Sequence, residues 1–529
     1  MANKTLFSTS RSRRAPATKA KNRAGGRAYQ LTDAETLAQY VVTSCFNDVY
    51  YASAGEQLDE VVKICETVDP VIIAKAAVYG HETGGMKDVP AFLLATLAAK
   101  GEIELLRQAF PRVITNPKML LNFVQVVRSG VTGRRSFGSA VKGLINGWIS
   151  SRYGNKLFLA SIGYSDPSLV DVIKMTHPRP SSEEQNALFG YLLGKDYNAE
   201  ALPPLVKEFE AFKADNSNPL PNMDYRALTN CGLTKDHWKQ IAKNMPWNTL
   251  RLNLNTLNRN GVFEDDEVLN YVAGKLSNPE EVKKWSVFPY QLLTTFLNTT
   301  DLPRKISLAL QDAMEVATEN VPVLGDRVAV CVDVSGSMSS AVTGNRGSVT
   351  SRTSCKDVAA LIAASVARTN PMTTVVSFGT TARIVPNFNP RDSVMTNSQK
   401  LTNESNYCGH GTDASAAMKV LNATKQKFDL VIYASDCQSW IDSNHRNPHY
   451  SRGMGTSLHG MWEEMKGRNP KAKIAEINLQ PYGNSQLSNS DPSVMNIGGF
   501  SDAVFDVLNE FAHRDANAKF LDVIERVEL

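Results

Sequence analysis

The sequence predicts a protein of two parts, an α-helical repeat array over residues 29–320 and an α/β domain over residues 321–529. Short helical patterns follow one another up to about residue 320, with few alternating runs that suggest strands. Beyond that point apolar strand runs alternate with helical patterns, which indicates a doubly wound, mostly parallel sheet covered on both faces. One of those strands continues directly into the sequence Asp-x-Ser-x-Ser.

Residues 1–28 are predicted to be a disordered basic tail. They contain eight lysines and arginines and no acidic residue, whereas the whole chain has a net charge of only +4. A segment rich in serine, alanine and glycine cannot bury enough apolar surface to fold by itself. Its charge favours an arm that binds phosphate groups. A solubilising tail and an organellar transit peptide are the alternatives.

The predicted helices of the array have apolar residues at helical spacing and are separated by short turns. The first follows Thr32, where a capping residue precedes acids in the first turn. The others are Gln57–Thr67, Pro70–Tyr79, Val89–Ala99, Ile103–Ala109, Lys118–Val127, Phe137–Ser151, Pro167–Thr176, Ser182–Leu192, Pro203–Ala214, Lys235–Asn244, Trp247–Asn258, Asp265–Ala273, Pro289–Leu297 and Leu302–Thr318. This pattern is typical of a helical solenoid, here a divergent HEAT-like array. A single irregular helical domain is the alternative.

The α/β domain begins after a junction at residues 320–326. Its first strand is the β-branched run that ends at Asp333, which is typical of a buried parallel strand. The later strands are predicted at residues 373–378, 429–436 and 474–479, and the helices at 356–368, 414–427, 457–465 and 501–511. Residues 339–354 are rich in serine, threonine and glycine, and we expect a surface loop there.

Oxygen donors are concentrated where these strands end. Asp333, Ser335 and Ser337 follow the first strand, Thr412 precedes a helix, and Asp436 ends a later strand. A doubly wound sheet brings such loops together at one edge, where ligands bind. Carboxylates and hydroxyls suit Mg²⁺ or another divalent cation, so the five residues are predicted to form a metal site. Alternatively, the serines only cap the next helix and Asp436 only ends a strand.

Two basic turns of the helical array are candidates for binding RNA. The first is rich in glycine and precedes a helix, and the second is held by prolines. Guanidinium groups and free N–H groups at a helix start suit phosphate, and a histidine can stack on a base. The candidate RNA-binding residues are Arg134, Arg135, Lys142, Lys174, His177 and Arg179. Either turn could instead be a solvated face.

The two halves together resemble the Ro autoantigen family, whose members join a TROVE module to a von Willebrand factor A domain. The matching stretches are Tyr50–Glu56, Gly133–Trp148, Thr176–Ser182, Met245–Leu254, Phe288–Leu293, Asp333–Ser337, Gly411–Asp413 and Ser435–Trp440. They run in order from about residue 30 to the C-terminus. The last three stretches resemble the metal-ion-dependent adhesion site of von Willebrand A domains.

The resemblance implies a monomeric ring of HEAT-like helices that is closed by the A domain. Members of this family bind small noncoding Y RNAs on the outer basic surface of the ring. They also take single-stranded 3′ ends of misfolded RNAs into its hole, and bacterial members are similar to adaptors for the 3′-to-5′ exonuclease polynucleotide phosphorylase. The local motifs align Lys142, Lys174 and His177 with the family's outer surface, whereas Arg134, Arg135 and Arg179 are chosen by charge and position.

The sequence is therefore interpreted as a non-catalytic, cytoplasmic RNA-binding protein that acts in RNA quality control or degradation. We expect no membrane association, because no apolar run reaches transmembrane length and no secretory signal is present. The seven scattered cysteines favour a reducing compartment. One alternative is an adaptor in which a partner's carboxylate completes the coordination of Mg²⁺. A Mg²⁺-dependent hydrolase is a third interpretation, but Asp413 and His410, its candidate bases, have no clear orienting partner.

Overall fold

The computed structural model describes residues 15–529 apart from 153, 164–165, 286, 288, 300, 442–454, 500, 502 and 514–518. The chain divides into two compact units that interleave along the sequence. The sheet unit comprises residues up to 68, 277–300 and 310–526. The helical unit comprises residues 69–276, 301–309 and 527–529. Within the described part of the chain, every helix is too short or too polar to span a bilayer.

The helical unit is a succession of short helices joined by turns. They are α3 Pro70–Glu82, α4 Asp88–Lys100, α5 Ile103–Val113, α6 Pro117–Ser129, α7 Gly138–Ser150, α8 Asn155–Ala160, α9 Leu169–Thr176, α10 Glu183–Leu193, α11 Pro204–Ala214, α12 Tyr225–Leu228, α13 Lys235–Asn244, α14 Trp247–Leu252, α15 Leu254–Arg259 and α16 Asp266–Ser277. Helix α3 packs on α5, α4 on α6, and α5 on α7. Such contacts between every second helix are typical of stacked helical repeats, so the predicted repeat architecture is confirmed.

One predicted helix of this unit is interrupted. The segment predicted as Trp247–Asn258 forms two helices, α14 and α15, separated by Asn253. The side chain of Asn253 donates a hydrogen bond to the Thr249 carbonyl and accepts one from the Tyr225 hydroxyl at 2.7 Å each. An asparagine that bonds locally to the backbone competes with helix continuation, and the backbone at Asn253 leaves the helical region.

The centre of the sheet unit is a six-stranded sheet. From residue 279 onward the strands and helices are α17 Pro279–Lys284, α18 Pro289–Asn298, α19 Arg304–Thr318, β2 Val328–Asp333, α20 Cys355–Thr369, β3 Thr374–Phe378, β4 Ala382–Ile384, α21 Val394–Thr402, α22 Ser405–Cys408, α23 Ala414–Ala423, β5 Leu430–Ser435, α24 Ser457–Arg468, β6 Lys473–Asn478, β7 Asn484–Ser485, β8 Val494–Gly498, α25 Ala503–His513 and α26 Phe520–Glu525. The strand order is β4-β3-β2-β5-β6-β8, and only β4 is antiparallel to its neighbour. The predicted doubly wound, mostly parallel sheet is therefore confirmed, although β4 and β8 were not predicted.

The strand order reverses between β2 and β5, and ligands commonly bind at such a point. From β2 the chain first adds β3 and β4 on one side, and then returns to add β5 on the other. Neighbouring strands at such a reversal leave a crevice at their carboxyl ends. All residues of β2 and β5 are buried. Their last residues are thus fixed by the core, and the loops that follow them begin from a rigid frame.

The predicted boundary between the two parts does not match the compact units. The first elements, β1 Tyr29–Gln30, α1 Asp33–Tyr40 and α2 Ala54–Thr67, belong to the sheet unit. Strand β1 pairs with β7, α1 packs on β8 and α26, and α18 packs on α20. Periodicity shows that a segment is helical, but it does not show which core buries the apolar face.

The prediction that residues 1–28 are disordered is wrong for residues 15–28, while residues 1–14 lie outside the described residues. Residues 15–30 form a hairpin, here called the N-terminal hairpin. The Ala28 N–H donates to the Ala20 carbonyl at 3.1 Å, and the Thr18 hydroxyl donates to the Ala28 carbonyl at 2.6 Å. Polar bonds thus hold a segment whose composition alone predicted disorder.

The polar loop 339–354 is also more tightly held than its composition predicts. The Asn47 side chain donates to the Thr343 carbonyl at 2.7 Å, and the Asn345 N–H donates to the Asp48 carbonyl at 2.6 Å. Gly344 approaches the Asn47 backbone so closely that an added Cβ would lie 2.9 Å from the Asp48 carbonyl oxygen. The loop therefore packs on the segment between α1 and α2.

Candidate metal centre and basic surface

The five predicted metal-binding residues are all buried at the carboxyl edge of the sheet. Asp333 is the last residue of β2 and Asp436 directly follows the adjacent strand β5, at the point where the strand order reverses. The exposed fractions of Asp333 and Asp436 are 0% and 1%. Ser335, Ser337 and Thr412 are buried as well. The topology thus brings the loops that carry these five residues to one edge of the sheet, as the sequence predicted.

The two carboxylates are poorly compensated within the protein. Asp333 accepts hydrogen bonds from the Ser335 N–H at 2.9 Å and from the Ser435 hydroxyl at 2.6 Å. Burial and the charge of Asp436 nevertheless raise the pKa of Asp333 to about 7. Burial also raises the pKa of Asp436, whose Oδ2 has no hydrogen-bond partner among the described residues. Two buried like charges with an unpaired oxygen are unfavourable unless a cation joins them.

Backbone hydrogen bonds join the three loops that carry the candidate ligands. Ser335 Oγ and Ser337 Oγ lie 3.4 Å apart. The Gly336 N–H donates to the His410 carbonyl at 2.9 Å, and the Trp440 N–H donates to the Thr412 carbonyl at 3.1 Å. The loop that carries Thr412 is therefore tied to both other loops, and α23 begins two residues after it, as predicted.

The donor set fits a hard divalent cation. Asp333, Ser335, Ser337, Thr412 and Asp436 offer two carboxylates and three hydroxyls, and they leave room in the coordination number for water or a ligand. The alternative in which Ser335 and Ser337 cap the next helix is wrong, because Ser354 caps α20. These five residues could hold Mg²⁺, which would neutralise the two buried carboxylates.

Tyr51 is a residue of this centre that the sequence analysis missed. Of the two adjacent tyrosines, Tyr50 is 56% exposed, whereas Tyr51 is half-buried. The Tyr51 hydroxyl hydrogen-bonds with Ser337, and burial together with the charge of Asp436 raises the pKa of Tyr51 to about 12. Its ring packs edge-on against Tyr482, with ring centres 5.7 Å apart. No local sequence pattern links Tyr51 to a loop nearly 300 residues later.

A second acidic cluster in the sheet unit, formed by His459, Glu463 and Asp491, is not a metal site. His459 Nδ1 accepts the Ser488 N–H at 3.1 Å, so the proton of the neutral ring lies on Nε2 and leaves no lone pair there for a metal. Lys466 already compensates both carboxylates, at 2.9 Å from Glu463 and 2.6 Å from Asp491. This cluster is a buried ion-pair network.

Replacing Lys466 by methionine should destabilise the protein strongly. Glu463 and Asp491 would remain buried without their cation, and breaking such a pair costs about 3–5 kcal/mol. The exposed Lys471→Met variant is the matched control and should lie within about 0.5 kcal/mol of the parent. Urea denaturation in EDTA and in Mg²⁺ measures both. A destabilisation that is clearly smaller in Mg²⁺ than in EDTA would mean that the cluster does bind a metal.

Four of the six predicted RNA-binding residues lie where two helices of the helical unit meet. The Asn146 side chain on α7 donates to the Thr176 carbonyl at the end of α9, at 3.3 Å. Lys142 lies one turn before Asn146, and His177 directly follows Thr176 in the left-handed region, with φ of 51°. We call this surface the α7–α9 junction, and its basic residues are Lys142, Lys174, His177 and Arg179. All are exposed except Lys142, which is half-buried.

Arg134 has a structural role that the sequence analysis did not predict. Its guanidinium donates hydrogen bonds to the carbonyls of Ala98, Ser136 and Phe137 at 2.6, 2.6 and 2.8 Å. Ala98 is near the C-terminus of α4, so Arg134 joins that helix to the turn before α7. The neighbouring Arg135 is exposed and remains a candidate. Charge and position in the sequence cannot reveal that a guanidinium is already used by the backbone.

The Arg134→Ala variant should therefore be less stable, with little change in the intrinsic RNA affinity of the folded protein. Three carbonyls lose a charged donor, and loss of such bonds costs about 1–3 kcal/mol. Arg135→Ala should change the free energy of unfolding by less than about 0.5 kcal/mol. Chemical denaturation of the two variants makes the comparison. Equal stability of both variants would refute the structural assignment of Arg134.

Comparison with known proteins agrees with this architecture. Residues 327–512 match the family model of the Ro60 vWA domain. A protein of Deinococcus radiodurans named RNA-binding protein RO60 is 23% identical over 536 residues, covering 93% of this chain and 95% of that protein. A Caenorhabditis elegans protein of the same name is 20% identical over 599 residues, covering 93% and 89%. The crystal structure of the Deinococcus radiodurans RO (RSR) protein matches with a TM-score of 0.63 and 18% identity, covering 91% of this chain and 99% of that one.

The helical unit and the buried Asp-x-Ser-x-Ser site define the class of this protein, which combines helical repeats with a von Willebrand factor A domain. Within this class, the von Willebrand domain matches the Ro60 vWA model, and two relatives named RNA-binding protein RO60 align over 93% of the chain. Residues 327–512 form a von Willebrand factor A domain of the Ro60 kind, and the chain as a whole is similar to proteins of the Ro family.

Proposed function

We propose that this protein is a non-catalytic RNA-binding protein that acts in quality control or degradation of noncoding RNA in the cytoplasm. Its relatives in Deinococcus radiodurans and Caenorhabditis elegans are both named RNA-binding protein RO60 and align over 93% of the chain. In this chain the main support for the proposal is the α7–α9 junction. There, several basic side chains from two packed helices face solvent in one region.

The α7–α9 junction is suited to the phosphate backbone of a structured RNA. Lys174 and Arg179 are exposed and Lys142 is half-buried, so these cationic groups can reach phosphate. The charge of Lys174 also interacts with Asp171 on the same helix. His177 is exposed at the end of α9, where its ring can reach a sugar or base. Because lysine and arginine contacts to phosphate release counterions, affinity should fall steeply with salt.

The finer proposal is that a small Y-type noncoding RNA binds this outer face. Single-stranded 3′ ends of misfolded RNAs would enter the hole of a monomeric ring of HEAT-like helices. A 3′-to-5′ exonuclease such as polynucleotide phosphorylase would then act on the bound RNA. These three features come from the resemblance to the Ro family, and the basic residues of the α7–α9 junction support the first of them.

Mg²⁺ or another divalent cation is the proposed ligand of the metal centre. The buried Asp333 and Asp436 carboxylates, with the unpaired Oδ2, support this assignment. A second candidate function is a Mg²⁺-dependent adaptor, in which an acidic group of a partner protein completes the coordination. Two exposed aromatic side chains lie near the candidate metal centre in the sequence: Tyr50 precedes Tyr51, and Trp440 lies two residues after Gln438. Exposed aromatic residues of this kind are enriched in protein interfaces, which favours a protein-binding role.

The proposed function is tested by an RNA titration at several salt concentrations. It compares a duplex, a single strand, and a duplex with a single-stranded 3′ tail. Tightest binding of the tailed duplex is expected, because its two parts would occupy the outer face and the hole simultaneously. Equal, weak binding of all three RNAs would contradict the proposal. Loss of a protein partner in EDTA, with RNA binding unchanged, would support the adaptor function.

A further inference from the structure

The N-terminal hairpin packs against the segment that follows the candidate metal ligand Asp436. The Asn22 side chain donates to the Ser439 carbonyl at 2.7 Å, and the Arg23 N–H donates to Gln438 Oε1 at 2.8 Å. Asn22 is buried, and its Oδ1 accepts the Gly26 N–H at 2.8 Å. One side chain thus fixes both the turn of the hairpin and its attachment to residue 439.

Gln438 links this attachment to Asp436. Its backbone N–H donates to Asp436 Oδ1 at 3.1 Å. Its side-chain amide donates to the Asp436 carbonyl at 3.1 Å and to Asn484 Oδ1 at 3.2 Å. Gln438 has no exposed surface, and its remaining oxygen accepts the Arg23 N–H. Both polar atoms of this side chain are therefore engaged, the oxygen by the hairpin and the amide nitrogen by Asp436 and Asn484.

Ser439 links the same attachment to the loop of Thr412. The Ser439 hydroxyl donates to the Thr412 carbonyl at 3.3 Å and accepts the N–H of Ala414, the first residue of α23, at 3.1 Å. The next two residues, Trp440 and Ile441, donate their N–H groups to the same Thr412 carbonyl. The hairpin thus contacts the segment that fixes two of the three loops of the metal centre.

We propose that the N-terminal hairpin is a positioning element of the metal centre, so that cation binding and hairpin docking are coupled. The inference rests on the proposed metal site. A cation that holds Asp436 and Thr412 in place also orders residues 438–439, on which the hairpin docks. Coupling is reciprocal, so undocking the hairpin lowers cation affinity by the same factor. The cation thereby controls the presentation of the exposed basic residues Lys19, Lys21, Arg23 and Arg27.

The Gly26→Ala variant tests this coupling. A Cβ at Gly26 would lie 1.9 Å from the Ser439 carbonyl oxygen and 2.9 Å from Trp440 Cα, so the hairpin cannot dock as it does in the parent. Gly55→Ala is the matched control, because nothing lies within 4 Å of a Cβ at that position in α2. Electron paramagnetic resonance of Mn²⁺, a probe for the same donors, should show affinity reduced about fivefold or more in Gly26→Ala. The control should bind Mn²⁺ like the parent.

Limited trypsin digestion is a second, independent measurement of the coupling between cation binding and hairpin docking. Cleavage after Lys21, Arg23 and Arg27 in the parent should be slower with Mn²⁺ than with EDTA, and Asp333→Asn should remove this difference. Faster cleavage of Gly26→Ala with unchanged Mn²⁺ affinity would overturn the proposal. If circular dichroism shows that Gly26→Ala is unfolded, Asn22→Ala removes the 2.7 Å bond without adding atoms and takes its place. A parent that binds no Mn²⁺ would instead overturn the metal site itself.

Discussion

Replacing Asp333 by asparagine should abolish stabilisation by the metal, so that the order of stability of parent and variant reverses between EDTA and Mg²⁺. In EDTA the variant should be more stable than the parent by about 1–3 kcal/mol, because it removes the repulsion between two buried carboxylates. The asparagine keeps an oxygen for the Ser335 N–H and can donate to the Ser435 hydroxyl, so the local packing is preserved. With Mg²⁺ at about 100 times the dissociation constant, the parent should gain about 2.7 kcal/mol. The variant should gain almost nothing.

Thermal unfolding in EDTA and in Mg²⁺ measures this reversal. Asp326→Asn, which removes an exposed carboxylate shortly before β2, is the matched control and should respond to Mg²⁺ like the parent. Direct titration should show that Asp333→Asn lowers Mg²⁺ affinity by about 100-fold, because oxygen sites are tuned by the number of charged ligands. If Asp333→Asn were equally destabilised in both buffers, the carboxylate would be a structural group without a metal.

The triple variant Lys142→Ala, Lys174→Ala and Arg179→Ala should bind structured RNA about 10- to 100-fold more weakly near physiological salt. Each lost phosphate contact should lower the slope of log affinity against log salt concentration by about 0.7 to 0.9. The slope of the triple variant should therefore fall by roughly 2 to 3. Fluorescence anisotropy over a range of salt concentrations gives both quantities. The fold should be retained, because these side chains lie on the surface.

Three other exposed lysines of the helical unit provide the matched charge control. Lys118, Lys156 and Lys195 carry the same total charge, and none lies at the α7–α9 junction. Their triple alanine variant should retain the affinity and the salt slope within about twofold. If both triple variants lost affinity equally, the binding would reflect overall charge and the α7–α9 junction would not be the RNA surface.

The placement of the candidate metal ligands was predictable because their pattern is local. A β-branched run that ends in Asp333 specifies a buried strand and the side chains that follow it, and the order of the later loops restricts the topology. The supporting residues were not predictable. Tyr51 and the N-terminal hairpin contact loops hundreds of residues later, and nothing in their own sequence specifies that partner. The unit boundary was missed for the same reason, since helical periodicity does not identify the neighbour that buries an apolar face.

The basic surface was predictable only in part. His177 and Arg179 lie in an exposed turn, as their proline-rich sequence indicated, and Lys174 is exposed in the last turn of α9. Arg134 has the same charge and a similar glycine-rich context, yet its donors are used by three backbone carbonyls. Only the positions of those carbonyls, one of them 36 residues earlier in the chain, distinguish a structural arginine from one that can reach phosphate.

Ultraviolet crosslinking of a structured noncoding RNA to the full chain, followed by mass spectrometric mapping, shows directly whether the helical unit binds RNA. Crosslinked peptides are expected within residues 138–182, which contain α7, α9 and the turn after α9. The Lys142, Lys174 and Arg179 triple variant should lose those crosslinks. Crosslinks confined to residues 1–30 or to the von Willebrand A domain would contradict RNA binding by the helical unit.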